Sequence, residues 1–186
     1  MKKHQDNNPF TNLNGFVEGL KHEDKRNWRM TRNVKWLMWL LAPLYAALFL
    51  LNPSKDILLT ERIGGLCYAL GFVLFALILQ KFNREFKSVD YGVPVIEMLT
   101  QVTKRYNLFW RKIRLIVFPV LLIDAGMVLV LLNRFGSKTT FEVIVWVQMV
   151  LIPSLAIGAS IGLFIWYKRQ KPLRDAALAM LDELEQ

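Results

Sequence analysis

One cysteine, Cys67, and two histidines, His4 and His22, are all that the 186 residues offer of the side chains that build disulfides and most metal centres. A lone cysteine excludes an intramolecular disulfide. Both histidines lie in the polar amino-terminal stretch, without the spacing of a zinc-binding pair. Gly64 and Gly65 are not followed by the Lys and Ser or Thr of a phosphate loop, and no Gly-x-Ser-x-Gly stretch occurs. The expectation is therefore no catalytic set, no metal and no cofactor. A cleavable leader is not expected either, because the residues before position 34 are mostly polar.

What the chain does have is apolar residue, 54% of the whole with 12% aromatic, gathered in blocks. The blocks are 34–51, 63–79, 115–132 and 143–167, each bounded by charge and without the alternation of a surface helix. Each reaches or approaches the roughly 17–25 residues a helix needs to cross about 30 Å of hydrocarbon. The expected fold class is all-α, an integral membrane four-helix bundle with amphipathic cytoplasmic helical extensions.

The formal charge of +9 could suggest nucleic acid, but its placement argues for a membrane. Residues 1–35 hold eight Lys and Arg, 80–114 hold eight, and 168–186 hold four, whereas the two remaining loops hold four together. The positive-inside rule assigns the three rich segments to the cytoplasm, with both termini inside a cell inner membrane. Trp36, Trp39, Trp110 and Trp166 fall at the inner ends of the spans and Trp146 at an outer end, where indole rings prefer to sit.

The organisation expected is a basic, amphipathic amino-terminal segment (1–33), a four-span domain (34–167) interrupted by a cytoplasmic helical hairpin (80–114), and a carboxy-terminal amphipathic helix (168–186). Phe10, Leu13, Phe16, Val17 and Leu20 recur at helical spacing, and the following Lys25, Arg26, Arg29 and Arg32 suit anionic headgroups. From Pro94 a second amphipathic stretch carries Ile96, Leu99, Val102 and Tyr106 on one face and can run unbroken into the third span. That stripe lies beyond the hydrocarbon and is the candidate surface for a cytoplasmic protein partner.

Within the spans, Asp124 is the one carboxylate near mid-membrane, an expensive placement that demands a partner or protonation. No Lys or Arg lies at its depth, which leaves hydroxyls, Gln148 or backbone; packing is expected, with proton handling as the rival. Ser154, Gly158 and Gly162 form a small-residue stripe at intervals of four, suited to close helix packing inside the bundle or between copies in a homo-oligomer.

The Asn7, Asn8, Pro9, Phe10 stretch and the run from Lys171, Pro172, Leu173 and Arg174 to Leu184 and Glu185 resemble small multipass inner-membrane proteins of Bacteroidota. Some of those are encoded beside extracytoplasmic-function sigma factors. The resemblance implies a regulatory or scaffolding role and carries no functional residue. The function expected is a non-enzymatic membrane protein presenting cytoplasmic helices to a partner. The alternatives are a small oligomeric transporter or channel component using Asp124, and a lipid-acting enzyme at the inner leaflet.

The charge asymmetry predicts that reporters fused after Asn52 and Phe135 read as external, and those after Ser88 and Gln186 as cytoplasmic. An external reading at Ser88 would contradict this topology.

Overall fold

A computed structural model describes residues 13–51, 57–87, 89–107, 110–136 and 139–184, and all of its regular structure is helical. The helices are α1 (Leu13–Phe49), α2 (Leu59–Lys87), α3 (Val95–Arg105), α4 (Trp110–Arg134), α5 (Thr140–Ile165) and α6 (Lys171–Leu184). A π-helical turn, Trp166–Gln170, joins α5 to α6 without a break. Expectations resting on residues 1–12 and 52–56 lie outside the described residues, as do the side chains of 108–113.

Among the described residues, three helices are long and apolar enough to cross a membrane: Leu59–Lys87, Arg114–Arg134 and the continuous Thr140–Leu184. The apolar half of α1 is not among them. The expected span at 34–51 runs two residues past the end of the helix, and Lys35, Pro43 and Tyr45 dilute what is left.

α2 is the spine. α1 packs antiparallel along one side, where Tyr45 meets Tyr68 and Phe72 with ring centroids 4.8 and 5.2 Å apart, and Phe49 sits against Gly65. α4 packs along the other side through glycines. A Cβ on Gly64 would stand 2.9 Å from the carbonyl oxygen of Gly126, and one on Gly126 would stand 2.8 Å from that of Gly64. Backbones approach so closely only where both side chains are missing. The end of this pair away from the basic segments is closed by Asn133 hydrogen-bonding Thr60 and by Arg134 3.7 Å from the buried Glu61.

α5 begins with a capping box: the Thr139 hydroxyl accepts from the Glu142 amide at 3.3 Å, and the Glu142 carboxylate accepts from the Thr139 amide at 2.7 Å. Its principal neighbour among the apolar helices is α4, so the close packing runs α1, α2, α4, α5 in a row.

A second, smaller core lies at the basic end. Phe16 and Leu20 of α1, Met98, Leu99 and Val102 of α3, Tyr106, and Leu173 and Ala177 of α6 are buried together as a three-helix cap. Phe16 and Leu20 thus face protein, and α1 runs continuously from the cap into its apolar half. The unbroken helix expected from Pro94 into the third span is also corrected. α3 ends at Arg105 and α4 starts at Trp110; Tyr106, the C-cap of α3, still donates its amide to the Val102 carbonyl at 3.0 Å and carries the Leu99–Val102 stripe one step further into the cap. At the far end the helix survives Pro172. The π turn widens the hydrogen-bonding register just before the point where an α-helical proline ring would meet the Lys168 carbonyl.

The glycine contact predicts that Gly126→Leu lowers detergent stability by about 1–3 kcal/mol through overpacking, whereas Gly158→Leu, with open space around it, melts like the wild type. Unchanged melting of Gly126→Leu would contradict the α2–α4 contact.

Candidate functional site

The apolar stripe of α1 runs Phe16, Leu20 and then, four residues on, Asp24. An acid has therefore replaced the next core residue, and its side chain is buried with 3% exposure. Carboxylates are tolerated at such positions only with partners. Asp24 has three. Tyr106 donates to Oδ1 at 2.6 Å, Tyr91 donates to Oδ2 at 2.9 Å, and the Arg105 guanidinium pairs with Oδ2 from a side chain only 9% exposed.

The partners come from three consecutive pieces of chain: the α2–α3 connection (Tyr91), the last residue of α3 (Arg105) and the break after it (Tyr106). Asp24 thereby ties the α2–α3 connection and the carboxy-terminal end of α3 to α1. The Trp166 indole donates to the Tyr106 carbonyl at 2.9 Å, so the π turn is tied to the same point. Lys21 lies over the Tyr91 ring, 5.3 Å from its centroid. At the membrane edge of the cap, Asn83 of α2 donates to the Trp28 carbonyl at 2.9 Å.

Burial raises the pKa of both tyrosine hydroxyls far above the ordinary tyrosine value, and the adjacent Asp24 carboxylate adds to the rise, while Arg105 pulls the other way. A raised pKa in the folded state means that the contribution is fully present below the unfolded value of about 10 and is lost only as pH rises beyond it. The tyrosines therefore stay neutral donors throughout the physiological range. The arrangement is a charge-neutral latch in which both carboxylate oxygens accept hydrogen bonds.

Of the residues proposed as a partner surface, Leu99, Val102 and Tyr106 are buried at 0–2% exposure, and only Ile96 stays open, at 55%. The correction has a simple cause: the chain covers its own stripe, with Phe16 and Leu20 from one end and Leu173 and Ala177 from the other. Among the described residues, nothing packs against the glycines of the small-residue stripe. A Cβ added at Gly158 or Gly162 meets nothing within 4 Å, and the Ser154 hydroxyl donates back to the Val150 carbonyl at 2.7 Å. Close helix approach falls instead to Gly64 and Gly126, whose role sequence reasoning missed. Asp124 and Gln148 are brought together, the Gln148 amide nitrogen lying 2.9 Å from each carboxylate oxygen, across the α4–α5 contact. Asp24 itself went unread, hidden by the basic residues around it; the signal was its place on the Phe16–Leu20 stripe.

No protein-family description, curated protein or solved structure matches the chain.

A buried pair is costly to break from one side. Arg105→Met leaves the Asp24 charge uncompensated and is expected to cost on the order of 3–5 kcal/mol, with Asp24→Leu combined with Arg105→Met recovering most of the loss. Additive single-mutant losses in thermal unfolding would contradict a coupled latch.

Proposed function

We propose that this chain is a non-enzymatic, regulatory or scaffolding protein of the cell inner membrane. Its working part is the cap of α1, α3 and α6 held on the cytoplasmic side. The observation that carries this reading is the Asp24 latch, since a buried ion pair with two tyrosine donors fixes a folded unit outside the apolar helices. In this reading the apolar half of α1 is a fourth span. Its support is depth: Tyr45 and Phe49 pack against Phe72 and Gly65 of α2, a helix long enough to cross, and Leu37, Leu40, Leu44 and Leu48 point outward.

The face offered to a cytoplasmic partner is the outside of the cap. Between α1 and the start of α6 lies a groove of about 590 Å³ where Glu18, His22 and Glu23 stand opposite Lys168 and Arg169, with Gly15 and Gly19 leaving room between them. Mixed charge around an open groove suits a polar peptide or helix. Anionic headgroups attracted to the basic flanks orient the cap at the membrane.

The transport reading centres on Asp124, and the geometry favours packing, because Gln148 occupies both carboxylate oxygens. Two measurements test the choice together. A photo-crosslinker at Glu18 is expected to form one recurrent adduct with a single soluble protein in cells, and Asp124→Asn is expected to leave both folding and that adduct unchanged. Proton-linked flux in liposomes that Asp124→Asn abolishes, with no adduct at Glu18, would replace this proposal with the transporter.

A further inference from the structure

On a different face of α1 from the groove at Glu18 and His22, Lys21, Lys25 and Trp28 line a cavity of about 330 Å³. Phe86 and Lys87 from the end of α2, and Val89 and Tyr91 from the α2–α3 connection, form its opposite wall. The volume is that of a small-molecule site.

Two features set this cavity apart from a solvated basic flank. Lys21 and Lys25 stand one turn apart on α1 and Lys87 enters from α2, so three like charges share one concavity, an unfavourable arrangement by itself. Among the described residues none of the three pairs with a carboxylate, and Asp24, the acid in the wall, is already matched by Arg105. The remaining wall is largely aromatic. Lys21 lies over the Tyr91 ring, 5.3 Å from its centroid, and the Arg32 guanidinium lies over the Trp28 ring at 4.4 Å, which adds positive charge behind the indole.

Uncompensated cations beside aromatic walls select an anion carried on an apolar or aromatic body. A phosphate monoester, with a charge of about −1.5 to −2, matches three lysines better than a single carboxylate does. Depth separates a soluble ligand from a lipid. Lys87 lies eight residues beyond Leu79, the end of the apolar block of α2, or about 12 Å along the helix. A headgroup layer is only about 5–8 Å thick. Asn83 bonds the Trp28 carbonyl and so sets α1 level with α2 there, which places Lys25 and Lys21 one and two turns further from the apolar region. We infer that this cavity binds a soluble phosphate monoester, its phosphate held by Lys21, Lys25 and Lys87 and its organic part against Trp28 and Phe86. Tyr91 and Asp24 belong both to this wall and to the latch, so the ligand adds a tie between α1 and the α2–α3 connection.

Calorimetric titration of the full-length protein in phosphatidylcholine nanodiscs, with phenyl phosphate as the probe, tests the site. Wild type is expected to bind one phenyl phosphate, and phenol, the same ring without the phosphate, is expected not to bind. Lys25→Gln and Lys87→Gln, on opposite walls, are each expected to weaken binding about tenfold, the scale of one lost charge-assisted hydrogen bond. Lys104→Gln removes an equal charge from α3, outside the lining, and is expected to bind as wild type does. All three lysines are exposed, so these changes leave the core untouched. A wild type that fails to bind phenyl phosphate overturns the inference, as does equal weakening by all three variants, the mark of diffuse surface charge. Loss of binding when phosphatidylglycerol replaces half of the phosphatidylcholine would give the cavity to a lipid headgroup and overturn the soluble ligand.

Discussion

The arrangement of the cap depends on one buried carboxylate. Asp24 is set on a helix face that otherwise reads as core, so the cap forms only if the Arg105 guanidinium and the two tyrosine hydroxyls arrive together. Apolar contact alone is non-directional, and a stripe such as Leu99–Val102 could slide by a turn along Phe16 and Leu20 with small loss. A buried charge cannot slide without losing its partner. The ion pair therefore sets the register of α3 on α1. Tyr106, the C-cap of α3, joins the parts: its ring fills the cap core while its hydroxyl meets Asp24 and its carbonyl receives Trp166.

Below the cap the governing constraint changes from charge to backbone proximity. Lipid offers little hydrophobic drive for helices to associate, so contact area and small residues decide which ones meet. α2 presents aromatics to α1 and glycines to α4, and it is well packed on both sides. α5 presents Ile, Leu, Val and Phe nearly all round, and its exposed residues include Met149, Val150, Ile157, Ile161 and Phe164. Its attachments are at its ends and middle: Gln148 to Asp124, then Trp166 and Gln170 to the cap. α5 is thus held in its first half by the buried Val143 and Val147 together with the Gln148–Asp124 contact, and after that chiefly by the polar contacts at its far end.

The all-α class and three of the spans were legible because length and hydropathy alone set them. The helical spacing of Phe16 with Leu20, Leu99 with Val102 and Leu173 with Ala177 could be read as well, and these residues are buried together. What covers each face was not: periodicity marks a stripe as apolar without saying whether lipid, a partner or the chain itself lies over it. Leu99 and Val102 were assigned outward for that reason, although their cover, Phe16 and Leu173, lies more than 70 residues away on either side. The glycines misled in the opposite sense. Gly158 and Gly162 repeat at a regular interval and face open space, while Gly64 and Gly126, on different helices, meet without any motif that a linear reading could detect.

The account stands most directly on whether α3 is part of a folded cap locked by Asp24. Hydrogen exchange on the full-length protein in nanodiscs measures this, since amide protection reports the free energy of local opening. The latch predicts strong protection across 98–105 in wild type, lost together with protection in the first half of α1 when Asp24 is replaced by Ala. Rapid exchange of 98–105 in the wild type, or protection there that survives Asp24→Ala intact, would contradict it.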